Sequence, residues 1–211
     1  MRAKGILIVV SGFSGAGKGT LMKKLVAEYD GYALSVSATT RKPREGEENG
    51  REYFFLDKKA FEERIAADGL IEYACYCDSY YGTPRDYVEQ KLSEGKDVIL
   101  EIEIQGAMKI RKQYPTALLL FVMPPSVAEL YRRLDERGTE SEEIVRKRLL
   151  RAKEEAEGIE EYDYIVVNDD LEACVRQLHE IIRTAHNTPS RNEAFIEQIR
   201  NELEDLVKGE K

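Results

Sequence analysis

Residues 12–20 read GFSGAGKGT, which fits the spacing G-x-x-x-x-G-K directly after an apolar run. Glycines let successive backbone N–H groups turn inward into a nest for an anion. A helix opening at Lys18 adds the positive end of its dipole, and Lys18 itself brings a full charge to β- and γ-phosphates. A plain glycine turn between strand and helix would account for the glycines but not for the lysine. The residue after Lys18 is Gly19, and the first hydroxyl comes at Thr20, so direct ligation of Mg2+ by this loop is not expected.

A second basic cluster follows. Residues 35–54, SVSATTRKPREGEENGREYF, hold Arg41 and Arg44 with hydroxyls at Ser37, Thr39, Thr40 and Tyr53. Two guanidinium forks in a loop stiffened by Pro43 suit a dianionic phosphate, although composition alone fits a solvated loop equally well. Glu101 and Glu103 stand two apart in VILEIEIQG. On a strand this puts both on one face near the carboxyl end, where open α/β sheets bind ligands. They could organise Mg2+ waters, hold a substrate-binding arginine or form a structural ion pair. Residues 132–153 hold eight Lys or Arg against five acids, a pattern that is usually a solvated helix face.

Together these segments resemble the guanylate kinase family, from the phosphate loop through TTRKPR to the later RGT and NDD, over about residues 4–186. The resemblance implies an α/β fold of the P-loop NTPase type: a parallel sheet flanked by helices, with a small mixed α+β GMP-binding insert and a helical lid. It implies the reaction ATP + GMP ⇌ ADP + GDP in purine nucleotide metabolism and GMP recycling, with Mg2+ accompanying ATP. Carried over residue by residue, it places Gly12, Phe13, Ser14, Gly15, Ala16, Gly17, Lys18, Gly19, Thr20 and Asn168 on ATP. Ser37, Arg41, Arg44 and Tyr53 fall on the GMP phosphate, Glu72, Tyr81 and Thr83 around guanine, and Glu103 beside them. Lys18, Arg41, Arg137 and Arg148 become the catalytic residues, the last two from the lid; Arg132, Arg133, Arg146 and Arg151 are left as surface or ion-pair residues. Two positions depart from the family pattern: Glu103 stands where Asp is frequent, and Phe13 where proline is common.

The chemistry of guanine supports the assignment of Glu72. N1–H and the N2 amine are adjacent donors that one ionised carboxylate accepts together, whereas adenine presents an acceptor at N1. Thr83 could donate to O6. Buried polar readers of this kind discriminate by about 10⁴–10⁵ against analogues lacking the matching groups. An AMP-directed enzyme is the nearest rival, a non-catalytic scaffold module the next, and a nucleic-acid binder lacks a recognisable binding module.

Positioning these groups requires buried parallel strands joined by crossover helices, the pattern expected when short apolar runs alternate with 3.6-period segments. Strands are predicted at residues 6–10, 32–37, 98–104, 118–123 and 164–167. Leu21, Leu25 and Tyr29 should face the sheet from the first helix, and Leu171, Val175, Leu178 and Ile182 from the last core helix. Ser126 with Glu129, and Thr139 with Glu142, read as capping boxes. Tyr-rich short runs between residues 38 and 86 predict a small antiparallel subdomain with one helix around residues 61–67. The organisation expected is a kinase-like domain over 1–187 (core 1–37, 87–131 and 154–187; insert 38–86; lid 132–153) and a helical extension over 188–211. That extension opens with Pro189 and a Ser190/Glu193 cap, and carries Phe195, Ile196, Ile199, Leu203 and Leu206 on one side. Packing on its own domain is the ordinary expectation and self-association, as a homo-oligomer, the alternative.

Composition bounds the rest. With 211 residues and a net charge of −8, the chain is a poor candidate for non-specific duplex binding, yet residues 1–44 carry eight Lys or Arg against two acids. Cys75, Cys77 and Cys174 form neither a disulfide framework nor a zinc spacing, which fits a reducing cytoplasm. The apolar runs are too short for a membrane span. His179 and His186 lie away from the motifs and receive no catalytic role.

Overall fold

The computed structural model describes residues 4–76, 78–135 and 142–209. At its centre is a five-stranded parallel sheet in the order β2-β7-β1-β8-β9. The strands are β1 (Leu7–Gly12), β2 (Tyr32–Leu34), β7 (Asp97–Glu101), β8 (Leu118–Met123) and β9 (Tyr164–Val167). β1 is the middle strand, with Val9 opposite Leu100 on one side and Leu119 on the other. A strand covered on both faces needs apolar residues at consecutive positions, and the unbroken run Ile8, Val9, Val10 supplies them. Alternate side chains feed two cores. Ile8, Val10, Leu120 and Val166 pack with Leu21 and Leu25 of α1 (Lys18–Glu28) and Leu178 and Ile182 of α7 (Leu171–Ala185). Val9, Leu100 and Phe121 pack with Val88 of α3 (Arg85–Ser93) and Ile110 of α4 (Ile104–Gln113).

Two strands are shorter than predicted. β2 stops at Leu34, and β7 stops at Glu101, so Glu103 becomes the residue that opens α4. Strands β8 and β9 match their predicted limits.

The Tyr-rich region forms a separate four-stranded sheet, β4-β3-β6-β5, from β3 (Ala38–Thr39), β4 (Phe54–Phe55), β5 (Leu70–Tyr76) and β6 (Ser79–Pro84). It is not purely antiparallel as expected, because β3 pairs with β4 in parallel. Its small core joins Ala38 and Leu70 to Phe61, which stacks on Tyr80 at 5.3 Å. Phe61 lies on α2 (Lys58–Ala66), which starts earlier than predicted because Asp57 caps it, accepting from the Ala60 N–H at 2.7 Å.

Two helices, α5 (Val127–Asp135) and α6 (Glu142–Ala156), pack together through Leu130, Leu134, Val145 and Ala152. Only half of the Ser126/Glu129 box forms: Ser126 accepts from the Glu129 N–H at 3.1 Å, while the Glu129 carboxylate turns to Arg132 and Arg133. Thr139 and Arg137 lie outside the described residues. The C-terminal helix α8 (Glu193–Lys208) follows a 3₁₀ turn, Pro189–Arg191. Its predicted cap is replaced: Asn192 occupies the N-cap, its side chain donating to the carbonyls of His186 and Thr188. The helix has no buried residue, so it does not pack on its own domain as the ordinary expectation held; Leu203 is 57% and Leu206 69% exposed.

Candidate active site

The 12–20 loop joins β1 to α1 through Gly17, which takes φ 85°, the left-handed region that glycine enters without a Cβ penalty. A Cβ there would also lie 2.6 Å from Asn168 Nδ2. The Asn168 side chain donates to the Ala16 carbonyl at 2.8 Å, so it ties the loop to the end of β9. The helix after β9 is capped by Asp170, not Asn168. Phe13 fills the place of a stiff residue by packing edge-to-face on Phe121 at 5.1 Å. Lys18 Nζ donates to the carbonyls of Gly12 (2.6 Å) and Phe13 (3.1 Å). Burial lowers its pKa, and Glu101, Glu155 and Glu103 oppose that shift.

Beyond Lys18 opens a cavity of ≈ 600 Å³, lined on one side by Gly12, Ser14 and Lys18 and on the other by α6. α6 offers it Arg148, Arg151 and Glu155, spaced so that they share one helix face. Arg148 Nη1 donates to Ser14 Oγ at 3.4 Å. Arg151 bonds Glu103 through Nη2 and Glu155 through Nε, so Glu103 takes the ion-pair option. Glu155 is mostly buried; its Oε2 has no hydrogen-bond partner, and burial raises its pKa. Arg151 and Glu155 were missed as cavity residues, although the polar stripe at helical spacing was a usable signal. Arg146 is exposed, and Arg132 is held by Glu129, as expected of surface and ion-pair residues.

Behind the loop a cavity of ≈ 300 Å³ is lined by Gly15, Gly17, Thr20, Arg133, Asn168 and Leu171. Arg133 forms the ion pair that is one of its two expected roles, donating to Glu129 Oε1 (2.6 Å), but it also lines this cavity and donates to the Asn168 carbonyl (2.9 Å).

The third cavity, ≈ 330 Å³, lies between the insert and the sheet, and Ser37, Tyr53, Glu72, Tyr81 and Glu103 line it. Glu72 stands on β5 opposite Thr83 of β6 and is 8% exposed. Thr83 Oγ1 donates to Glu72 Oε1 at 2.8 Å. A hydroxyl has one hydrogen, so in this structure the Thr83 proton is spent on the Glu72 carboxylate. Burial raises the Glu72 pKa; the Thr83 hydroxyl and, more weakly, Lys109 oppose it. Tyr53 meets Tyr81 edge-to-face at 5.9 Å and lies under the Arg41 guanidinium at 5.4 Å. Arg41 is gripped by Glu47 through two bonds of 3.0 and 2.9 Å, and Glu47 also accepts from the Arg44 N–H at 2.7 Å. The Arg44 side chain is exposed on the same loop.

Both histidines serve the scaffold. His179 stacks on Tyr29 at 3.8 Å and bonds Tyr32, and His186 bonds Asp97. Among the described residues no three His, Cys, Asp or Glu converge to hold a metal, and no helix is long and apolar enough to cross a membrane.

The arrangement has known counterparts. The guanylate kinase family model matches residues 4–185. The chain is 44% identical over 202 residues to guanylate kinase of Caldanaerobacter subterraneus subsp. tengcongensis, covering 96% of this chain and 98% of that protein. With guanylate kinase of Bacillus subtilis it shares 46% identity over 187 residues, covering 88% and 92%. A crystal structure of guanylate kinase from Anaplasma phagocytophilum superposes with a TM-score of 0.70 at 31% identity, covering 90% of each chain. With a phosphate loop, a buried acid in a neighbouring insert and these relatives, the chain belongs to the guanylate kinase family.

Proposed function

We propose that the chain moves the γ-phosphoryl group of ATP, seated on the 12–20 loop, to the phosphate of GMP, seated between the insert and the sheet. One observation carries this reading. Glu101, Ile102 and Glu103 line both the phosphate-loop cavity and the insert cavity, so the two cradles share a wall. That adjacency is what an in-line transfer needs.

The acceptor phosphate is already an anionic nucleophile, so no strong general base is required, and catalysis is positioning plus charge neutralisation. In this reading Lys18 exchanges its two loop carbonyls for β- and γ-phosphate oxygens. Arg41 and Arg44 hold the acceptor phosphate with Ser37 and Tyr53. Arg148 neutralises the transferring group from α6, together with Arg137, and Arg151 joins them from the same helix face. Glu72 reads guanine. Arg133 and Asn168 line the place for adenine. Mg2+, when bound with ATP, supplies charge neutralisation on the β- and γ-phosphate oxygens. Glu101 suits its water shell as a hard oxygen donor, since its carboxylate lies 3.8 Å from where a Cβ on Gly19 would stand. The two described cysteines are free thiols, which agrees with action in the cytoplasm. A coupled ADP-release assay against GMP, AMP, CMP and UMP tests the reading: turnover with GMP alone is expected, and equal turnover with AMP would overturn it.

The partner proposed for α8 is a second copy of this chain. Ile196, Ile199, Leu203 and Leu206 follow an a-d-a-d spacing without an intervening charge on the seam. A helix of 16 residues with no buried side chain gains little from propensity alone and needs a packed face to persist. An identical stripe related by a two-fold axis supplies one. Leu203→Glu should convert a dimer to a monomer in sedimentation velocity; a monomeric parent protein would sink this assignment.

A further inference from the structure

Gly106 sits in the first turn of α4, where glycine is the poorest residue short of proline for a helix. Its backbone does not require glycine, because its φ is not in the left-handed region. Its surroundings do. A Cβ at Gly106 would stand 3.2 Å from Glu72 Oε2 and 3.2 Å from Ile102 Cδ1. Contact that tight forces a neighbour to give way by a few tenths of an ångström.

Three ties decide which neighbour moves. The other carboxylate oxygen of Glu72 is fixed by the buried bond from Thr83, so the group cannot simply rotate away. Lys109, one turn along α4, donates to the Tyr73 carbonyl at 2.8 Å, which pins α4 against β5 and keeps the helix from backing off. Gly82, opposite Tyr73 on β6, would itself collide with the Glu72 carbonyl if it carried a Cβ, so the strand pair behind Glu72 is closely packed. What remains is the cavity side, where Gly106 and Glu72 line the same space.

We infer that Gly106 is a positioning residue for guanine recognition, its missing side chain being the space that lets the Glu72 carboxylate face the N1–H and N2 amine of guanine while bonded to Thr83. The inference rests on Glu72 reading guanine. Two oxygens set against two adjacent donors have little tolerance for lateral displacement, because hydrogen bonds weaken steeply away from their preferred distance and angle.

The test is a double-mutant cycle between Gly106→Ala and Glu72→Ala, with KM for GMP, KM for ATP and Tm measured for each variant. Gly106→Ala should raise the GMP KM about tenfold, the scale of impairing a hydrogen bond to a charged group. Its ATP KM should stay within about twofold, and its Tm should be unchanged or higher, since alanine is the better helix former. In the Glu72→Ala background the same substitution should change the GMP KM by less than about twofold, because no carboxylate is left to displace. A purely structural role for Gly106 would instead lower Tm and survive the loss of Glu72, which would overturn the inference, as would an unchanged GMP KM in Gly106→Ala. If Glu72→Ala raised both KM values alike, the underlying reading of Glu72 would fall, an outcome separate from the other two.

Discussion

The two phosphate cradles of this molecule are built from different material. In the proposed reading the donors around ATP are main-chain N–H groups, fixed by a loop between β1 and α1 whose Ala16 is fully buried in the main core. Around GMP, in the same proposed reading, they are guanidinium side chains on a loop flanked by β3 and β4, strands of only two residues each. The first cradle keeps its shape through backbone conformation, with Lys18 resting on the loop's own carbonyls. The second keeps its shape through an ionic brace, Glu47 on Arg41 and on the Arg44 N–H. A backbone cradle is preorganised and loses function mainly when charge is removed from it. A side-chain cradle depends on every partner that aims its arginines and its base reader.

The largest expected effect lies on the backbone side. Lys18→Ala removes the one full charge of the 12–20 loop and should lower kcat by roughly 10³-fold, the upper range for deleting a single preorganised group that meets transition-state charge. Folding should be untouched. The core beside the loop is held by the apolar packing of Ile8, Val10, Leu21 and Leu25, and Lys18 bonds the loop's own Gly12 and Phe13 carbonyls, so its removal leaves that packing in place. Steady-state kinetics with a thermal melt checks both halves, and a variant with normal kcat would remove Lys18 from its role.

This contrast also explains what could be read in the sequence. The backbone cradle is local: its glycines, lysine and strand–loop–helix context fall within nine consecutive residues, so pattern and physics agree. Strands β8 and β9 were legible at their full limits for the same reason, each being a short apolar run. The side-chain parts are distributed. Arg151 meets Glu103 across 48 residues, Arg148 meets Ser14 across 134 and Asn168 meets Ala16 across 152. No periodicity records such meetings, and only the family resemblance points to Glu72 as a guanine reader; the structure shows the residue buried and bonded to Thr83. Local rules failed where two neighbours competed for one role. Asn192 displaced Ser190 as the cap of α8, and Glu129 spent its carboxylate on two arginines instead of closing its box.

A medium effect should separate the guanine reader from the phosphate cradles through pH. Burial raises the Glu72 pKa above the usual carboxylate value, with Thr83, Lys109 and Glu103 as the facing groups that modify it. As pH falls through that raised pKa, Glu72 takes a proton and can no longer accept two hydrogen bonds, so the GMP KM should rise at a pH where an ordinary carboxylate is still ionised. Above it Glu72 itself should contribute no further change. The sign for stability is opposite. A carboxyl that binds its proton more tightly in the folded than in the unfolded chain favours the fold on acidification, so this weakening is not the onset of acid unfolding. The GMP phosphate also titrates, with a second pKa near ~6, and Glu72→Gln isolates the difference because it keeps only that ligand term. Identical GMP profiles for the parent protein and Glu72→Gln would rule out titration of Glu72.

The smallest effect tests whether Glu47 braces Arg41 or competes with GMP for it. Arg41 uses both Nη atoms on Glu47 and one of them also on the Lys42 carbonyl. A guanidinium has five N–H donors, so beyond the bonds to Glu47 and Lys42 the Nε–H and one Nη2–H are left, which Tyr81 shares and which can turn to a phosphate without displacing the carboxylate. Arg41 and the Arg44 N–H also hold the Glu47 carboxyl below the usual range, so the brace stays charged at neutral pH. Glu47→Gln should therefore loosen the loop and raise the GMP KM by about three- to fivefold, the scale of weakening one partly exposed ion pair, with the ATP KM unchanged. A fall in the GMP KM would show the opposite, that the carboxylate occupies the place of the acceptor phosphate, and the second cradle would then be a site opened by counterion exchange.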